Sequence, residues 1–278
     1  MSFPGMSVVH GSPQTIWMPV KPATTIYVGG FVTQDRTSRD DGVIMLPDAA
    51  GVANVTNHDQ PFGICIGTNR KNPLYSATYL TEYITAPAAG DAFGGASIEY
   101  VGVEGPWSKG DPIPMVKVAL VDANTVIRAP LRNAAIGTAP SVLTDTVGQA
   151  SGLGFTAVAD AATIAFMSTA YCRSGANEGA YRLIKSAGST THTWTKATRS
   201  ACAIGDTWVT VPVPTFGPGT VMFDATTSMF IDVADAPVAN GTARWSIFVY
   251  RLDLRVAGQE YCEFRFDPSH FGSYVTTA

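Results

Sequence analysis

Residues 250–266 alternate with a period of two on both sides of a short break. Tyr250, Leu252, Leu254 and Val256 are apolar, with Arg251, Asp253 and Arg255 between them. After Ala257-Gly258-Gln259-Glu260, the apolar residues Cys262, Phe264 and Phe266 alternate with Glu263 and Arg265. Period two over both runs predicts a hairpin of two half-buried strands. Residues facing each other must share a face of the sheet, so paired numbers share parity. The turn therefore has an odd number of residues, either the three at 258–260 or five. The expected register sets Val256 by Cys262, Leu254 by Phe264 and Leu252 by Phe266. It also sets Arg255 by Glu263, Asp253 by Arg265 and Arg251 by Asp267. Exposed pairs of opposite charge contribute only ~0.2–1 kcal/mol each. Their agreement is the stronger sign of an antiparallel sheet with one wet face.

Just upstream, Arg244-Trp245-Ser246-Ile247-Phe248-Val249 carries large apolar groups in both phases. That half of the strand is expected to be covered on both faces, one of them by another subunit, with Trp245 and Phe248 at the contact. Residues 1–22 show no periodicity: Phe3, Val8, Trp17 and Met18 are scattered among Gly, Pro and Ser. They read as an extended N-terminal arm with four apolar anchors, whose removal should leave a folded domain. From Thr24 onward short strands recur, near 26–33, 43–46, 61–66, 74–85, 91–103 and 113–121. The Ala-, Pro-, Gly- and Thr-rich stretch 128–153 places a domain boundary near residue 132. A second block of strands follows near 163–171, 180–186, 192–199, 207–213, 220–224 and 229–233, and ends in the hairpin. Residues 155–165 also fit one face of a short helix. The expected organisation is all-β: an arm (1–22), a small barrel or tulip (23–131) and an antiparallel sandwich (132–278). A Gly-Asp pair precedes an extended run three times, at Gly90-Asp91, Gly110-Asp111 and Gly205-Asp206. Each reads as a turn in which Gly takes a positive φ and Asp bonds the backbone at the strand start.

Composition narrows the function classes. Charged residues are 14% of the chain, against roughly 25% in an average soluble domain. Low charge suggests either surface covered by partners or a neutral, Thr-rich exterior. Net charge is −4, and no Lys/Arg cluster forms a phosphate-neutralising stripe, so nucleic acid is not an expected partner. No long apolar run predicts a membrane span. The first residues lack basic charge and are broken by Pro4, Pro13 and Pro19, unlike a signal peptide. Cys65, Cys172, Cys202 and Cys262 are widely spaced in or beside apolar runs. Buried free thiols are expected, rather than disulfides or a zinc site, which fits a reducing cytoplasm.

Catalytic signatures are weak. His10, His58, His192 and His270 have no metal-ligand spacing, and His58-Asp59 reads as a solvated loop. Asp224, Asp232 and Asp235 read as strand-end turns before a calcium site. No nucleophile elbow, phosphate loop or His-Glu-x-x-His occurs. No enzyme activity and no cofactor are expected. Trp107, Trp194, Trp208 and Trp245 could form a sugar platform, although tryptophans in β domains more often serve core or interface.

Three segments carry a resemblance: Thr25-Ile26-Tyr27-Val28-Gly29-Gly30-Phe31-Val32, Pro61-Phe62-Gly63-Ile64-Cys65-Ile66-Gly67, and Lys109-Gly110-Asp111-Pro112-Ile113. They resemble the opening strand, the Phe-Gly-Val-type strand and the Gly-Asp strand start of tailed-phage capsid decoration (cement) proteins. The resemblance covers roughly residues 20–125 and implies a β-tulip or small barrel. It implies a virion protein on the outer capsid surface, assembled in the host cytoplasm, that clamps the major capsid protein and forms a homotrimer. The alternative expectation is a head-fibre or tail adhesin whose second domain binds glycans.

Overall fold

The computed structural model of the chain describes residues 5–21, 23–34, 42–46, 61–69, 74–86, 114–133, 139–140, 142–157, 168–187, 191–233 and 245–271. Phe3, His58, Asp59, Trp107, Asp235, the strand expected at 91–103, the Lys109–Ile113 motif and the first two Gly-Asp turns lie outside them. The chain is all-β: the regular structure among the described residues is strands and one short 3-10 turn, Pro268–Phe271. It divides into two compact units. Unit 1 comprises Met1–Ile127, Phe223–Phe230 and Phe266–Ala278, and unit 2 comprises Arg128–Met222 and Ile231–Arg265. The expected boundary near 132 falls within five residues of the first crossing, at 127/128. The division is not a single cut, because the chain returns to unit 1 twice.

The strands of unit 1 are β1 (Ser7–His10), β2 (Thr15–Pro19), β3 (Thr25–Tyr27), β4 (Phe31–Gln34), β5 (Val43–Met45), β6 (Gly63–Thr68), β7 (Leu74–Tyr75), β8 (Glu82–Thr85) and β9 (Met115–Leu120). Antiparallel pairing orders five of them β2-β9-β6-β4-β5 and three others β3-β8-β7. Val32, Val43, Cys65, Val116 and Val118 of the larger sheet pack with Ile26 and Ile84 of the smaller one. The opposite face is apolar as well at β4, where Phe31 meets Phe223 at 5.1 Å and Phe266 at 5.2 Å between ring centroids.

The segment Asp224–Ser228 closes over Phe31. Asp224 accepts hydrogen bonds from the backbone N–H and the hydroxyl of Thr227, and the Phe31 N–H donates to the Ser228 carbonyl at 3.0 Å. Gly30 permits this approach, since a Cβ there would lie 2.4 Å from the Thr227 carbonyl oxygen. Asp224 is thus the turn residue expected from its sequence setting.

Residues 15–20 are not a loose arm. β2 pairs along its length with β9, and Met18 and Val20 lie in the unit 1 core. Ile16, Met18 and Val20 alternate, but Pro13 and Pro19 hide that short run among turn residues. Proline is tolerated because β2 is the edge of its sheet, where an N–H can be dispensed with. Removing residues 1–22 would take Met18 and Val20 out of the core, so the deletion should destabilise unit 1 rather than leave it intact.

Unit 2 holds two further sheets. One contains β10 (Val126–Arg132, which enters from unit 1), β17 (Gly217–Val221), β18 (Ile231–Asp232), β19 (Trp245–Asp253) and β20 (Tyr261–Phe266). Its strands run β10-β20-β19-β17, with β18 parallel to β10. The other contains β11 (Val142–Thr144), β12 (Gly154–Thr156), β13 (Thr169–Ser174), β14 (Tyr181–Ala187), β15 (Thr191–Trp194) and β16 (Thr207–Val211), ordered β11-β16-β13-β14-β15-β12. Phe155 lies in β12, so the alternative of a helix starting there is not realised. Phe155 stacks on His192 at 4.7 Å and on Trp208 at 5.3 Å, with Trp194 beside them. The Gly205-Asp206 turn is as expected: Gly205 has φ +92°, Asp206 accepts from the Ala203 N–H, and β16 starts at the next residue.

The hairpin exists, and Leu252, Leu254, Cys262, Phe264 and Phe266, expected inward, are buried, but its first strand is shorter than expected. β19 stops at Asp253, and residues 254–260 form the connection. Trp245, Ile247 and Val249 are buried at odd positions, then Leu252 and Leu254 at even ones, with Tyr250 and Arg251 both exposed. The alternation slips by one residue at that pair, as a β-bulge would make it do. Val256 is exposed rather than set against Cys262. Arg255 pairs with Asp253, and Glu263 pairs with Arg128 of β10. A period-two reading started at Tyr250 is therefore out of phase with the first half of the strand.

Candidate functional site

Glu260, read from sequence as a turn residue, is a buried carboxylate. Its side chain is 0% exposed, with the guanidinium groups of Arg132 and Arg173 on either side. Arg132 lies at the end of β10 and Arg173 on β13, so one carboxylate ties the hairpin connection to both sheets of unit 2. Carbonyls take up further guanidinium donors: Arg132 donates to Leu131 at 2.6 Å and to Gly258 at 2.7 Å, and Arg173 donates to Leu254 at 3.0 Å. The Leu254 N–H donates in turn to the Tyr181 hydroxyl of β14 at 3.0 Å. Burial pulls the Arg132 guanidinium below its ordinary value, and the charge of Glu260 opposes that shift. A buried ion pair of this kind survives only with its remaining donors and acceptors satisfied.

Next to this clamp, Asp253 holds two arginines. It pairs with Arg255 through both carboxylate oxygens and lies 3.3 Å from Arg251. The Arg255 hydrogen bond is the main cause that holds the Asp253 carboxyl down at about 2, from an ordinary 3.8.

The opposite side of the β10-β20-β19-β17 sheet from its core residues carries an aromatic row. Phe216, 67% exposed, meets Phe248 edge-on at 5.4 Å, and Phe248 meets Tyr250, 41% exposed, at 5.3 Å. The Arg265 guanidinium lies 5.7 Å from the Phe248 ring, and that of Arg128 lies 4.5 Å from the Tyr261 ring. Such contacts contribute about 0.5–1 kcal/mol at exposed sites. Four arginines (128, 251, 255 and 265) and two carboxylates (Asp253 and Glu263) occupy or border this face, a balance of +2.

The residues expected at contacts separate into three groups. Trp17 is 46% exposed on β2, opposite Lys117 of β9, and Val8 is half-buried on β1. Phe248 belongs to the outward aromatic row. Met18 and Trp245 are buried within the chain. Both faces of the Trp245–Val249 run are apolar for different reasons: Trp245, Ile247 and Val249 fill the core, and Phe248 packs against its outward neighbours Phe216 and Tyr250. Trp194 and Trp208 are core residues, and the Trp194 indole N–H donates to the Gly152 carbonyl at 2.8 Å. Neither can serve as a sugar platform. Phe216 was illegible as a surface residue because Pro-Thr-Phe-Gly-Pro carries no period.

The four cysteines are buried and free. Burial pushes the Cys65 and Cys172 thiols up to about 12 and raises Cys202 and Cys262 as well. Thiols so shifted are poor nucleophiles. Among the described residues, no group of three His, Cys, Asp or Glu is placed to hold a metal ion. Among them, too, no helix is long and apolar enough to cross a membrane. Searches of protein-family models, curated proteins and solved structures each returned no match.

Two outcomes follow from the clamp and its neighbour. Glu260→Gln leaves two buried guanidinium groups without their counter-charge and should lower unfolding stability by about 3–5 kcal/mol, measured by chemical denaturation. Asp253 is more acidic folded than unfolded, so its stabilisation is present above pH 3.8 and lost as pH falls through about 2. Asp253→Asn should therefore lose less stability than the parent chain across that window in an acid titration followed by circular dichroism.

Proposed function

We propose that this chain is a non-enzymatic virion structural protein, a capsid decoration protein. It binds the outer capsid surface, clamps neighbouring major capsid subunits and associates with itself as a homotrimer. Assembly takes place in the host cytoplasm. The observation that carries this reading is the chemistry left outward: aromatic rings and guanidinium groups on unit 2, and Trp17 with Ile66, 46% exposed, on the large sheet of unit 1. Aromatic residues and arginine are the side chains enriched in protein contacts. Thiols and several carboxylates are withdrawn into the core or into ion pairs. The tulip-type motifs of the opening strands supply the capsid as the partner. Burying apolar area against a neighbour stabilises by about 25 cal/mol per Å², and many copies on one shell multiply the effect.

The contact on unit 1 is assigned to Trp17 rather than to a free arm, since β2, which carries it, belongs to the sheet. A glycan-binding adhesin is the second reading. With Trp194 in the core, its support is the Phe216-Phe248-Tyr250 row, and a glycan array with the parent chain and Tyr250→Ser tests it.

Particles prepared without this protein should bind it when it is added back and then resist a higher temperature before releasing their genome. Trp17→Ser combined with Ile66→Ser should weaken that binding and leave the melting temperature of the free chain nearly unchanged. A chain that binds no particle, or a double variant that coats particles as fully as the parent, contradicts this reading.

A further inference from the structure

The sheet of unit 2 that contains β11 to β16 closes on itself. Its terminal strands, β11 and β12, meet beyond their ends. Asp145, next after β11, bridges antiparallel to Ala157, next after β12, and the Thr146 N–H donates to the Thr156 carbonyl at 2.6 Å. Six strands joined in this way form a barrel, which removes the open edges at the seam. Leu143, Phe155, Cys172, Ile184, Trp194 and Trp208, one from each strand, fill its interior.

Asp145 stands two residues beyond Leu143 and therefore on the same inward face. Leu143 pairs with Trp208, and the Asp145 N–H donates to the Asp206 carbonyl at 2.8 Å. Asp145 and Trp208 are thus diagonal neighbours on paired strands, a spacing within reach of long side chains. Asp145 is 1% exposed and Trp208 0%. Oδ1 of Asp145 accepts from the N–H groups of Val147, Gly148 and Thr156 at 3.1, 2.8 and 3.3 Å. Its Oδ2 is buried and takes no hydrogen bond from the chain, and the buried indole N–H of Trp208 gives none. Trp194 makes the contrast, since its indole N–H reaches the Gly152 carbonyl. The Trp208 ring has no freedom to turn toward such a carbonyl. It stacks on Phe155 at 5.3 Å with 7° between the planes, and Trp194 lies 5.0 Å away on its other contacts.

We infer that an internal water molecule bridges Asp145 Oδ2 and the Trp208 indole Nε1 inside this barrel. Buried polar atoms are satisfied by protein or by ordered water, and a water held inside a protein makes two to four such bonds. The polarity of the two groups selects the ligand. A cation suits the carboxyl oxygen and is repelled by the indole N–H, and an anion has the opposite conflict. Water accepts from the indole and donates to the carboxyl oxygen. The bridge ties the residue that closes the seam to the rings at the centre of the core. It is independent of the proposed function.

The test is a crystal structure of the full chain at a resolution that orders internal water, with a solution readout beside it. Density for one water should lie about 3 Å from both Asp145 Oδ2 and Trp208 Nε1. In solution, the Trp208 indole proton, assigned in the parent chain, should show a nuclear Overhauser effect to water whose intensity is the same at pH 5 and pH 7. A peak relayed through an exchanging hydroxyl would change between those two values. A dry contact, a direct bond between Asp145 and the indole, a metal ion at the position, or water bonded to only one of the two groups overturns the inference. So does an indole proton with no effect to water, or with one that follows pH.

Discussion

The Glu260 carboxylate, enclosed by Arg132 and Arg173, is the interaction on which the form of unit 2 depends. It has no solvent to share its charge, and both guanidinium groups are drawn from strands far away in sequence. Continuum reasoning says that such a group adds little over a well-packed apolar one, yet is costly to break by removing one partner. Its structural role is specification. Arg173 reaches the Leu254 carbonyl and Glu260 together, Tyr181 accepts from the Leu254 N–H, and Arg132 reaches the Gly258 carbonyl. The connection 254–260 is thus held at several points along its length by both sheets. Held connections fix the strands that leave them, so the outward rows of β19 and β20 inherit their alignment from a buried charge on the opposite side.

Local chemistry was legible in the sequence wherever a single residue type decided the outcome. The Gly205-Asp206 turn, the free buried thiols, the core tryptophans and the all-β class all follow from residue type and spacing. What escaped depended on long-range pairing. Burial changes phase at Tyr250-Arg251, from odd to even positions within β19, and no local signal in the sequence marks the change. Three opposite-charge pairs agreed with the expected register because arginines and carboxylates alternate on both strands. In the structure, Arg255 finds Asp253 two residues away, and Glu263 finds Arg128 across more than a hundred residues of chain. Glu260 beside Gly258 looks like any turn glutamate until Arg132 and Arg173 are brought to it. β2 was hidden for a different reason: Pro19 within it would break a central strand and is harmless on an edge.

The contact surfaces show the same limit. Trp17 and Phe248 are outward, whereas Met18 and Trp245, their neighbours in the same strands, point into the core. Apolar density in a segment signals that something covers it and does not say which face is covered from within. Only alternation in the right phase separates the two, and phase is what bulges and edge prolines obscure.

The most direct measurement is native-state hydrogen exchange at the Leu254 amide, which donates to Tyr181, and at the Leu131 amide, which donates to the Glu260 carbonyl. If the buried carboxylate holds the connection to both sheets, these two amides should exchange only through the opening that exchanges the core amides of β13, with the same free energy. Exchange at Leu254 that is fast and independent of denaturant, while the β13 amides stay protected, would show the connection opening by itself. Glu260 would then not be the group that fixes the form of unit 2.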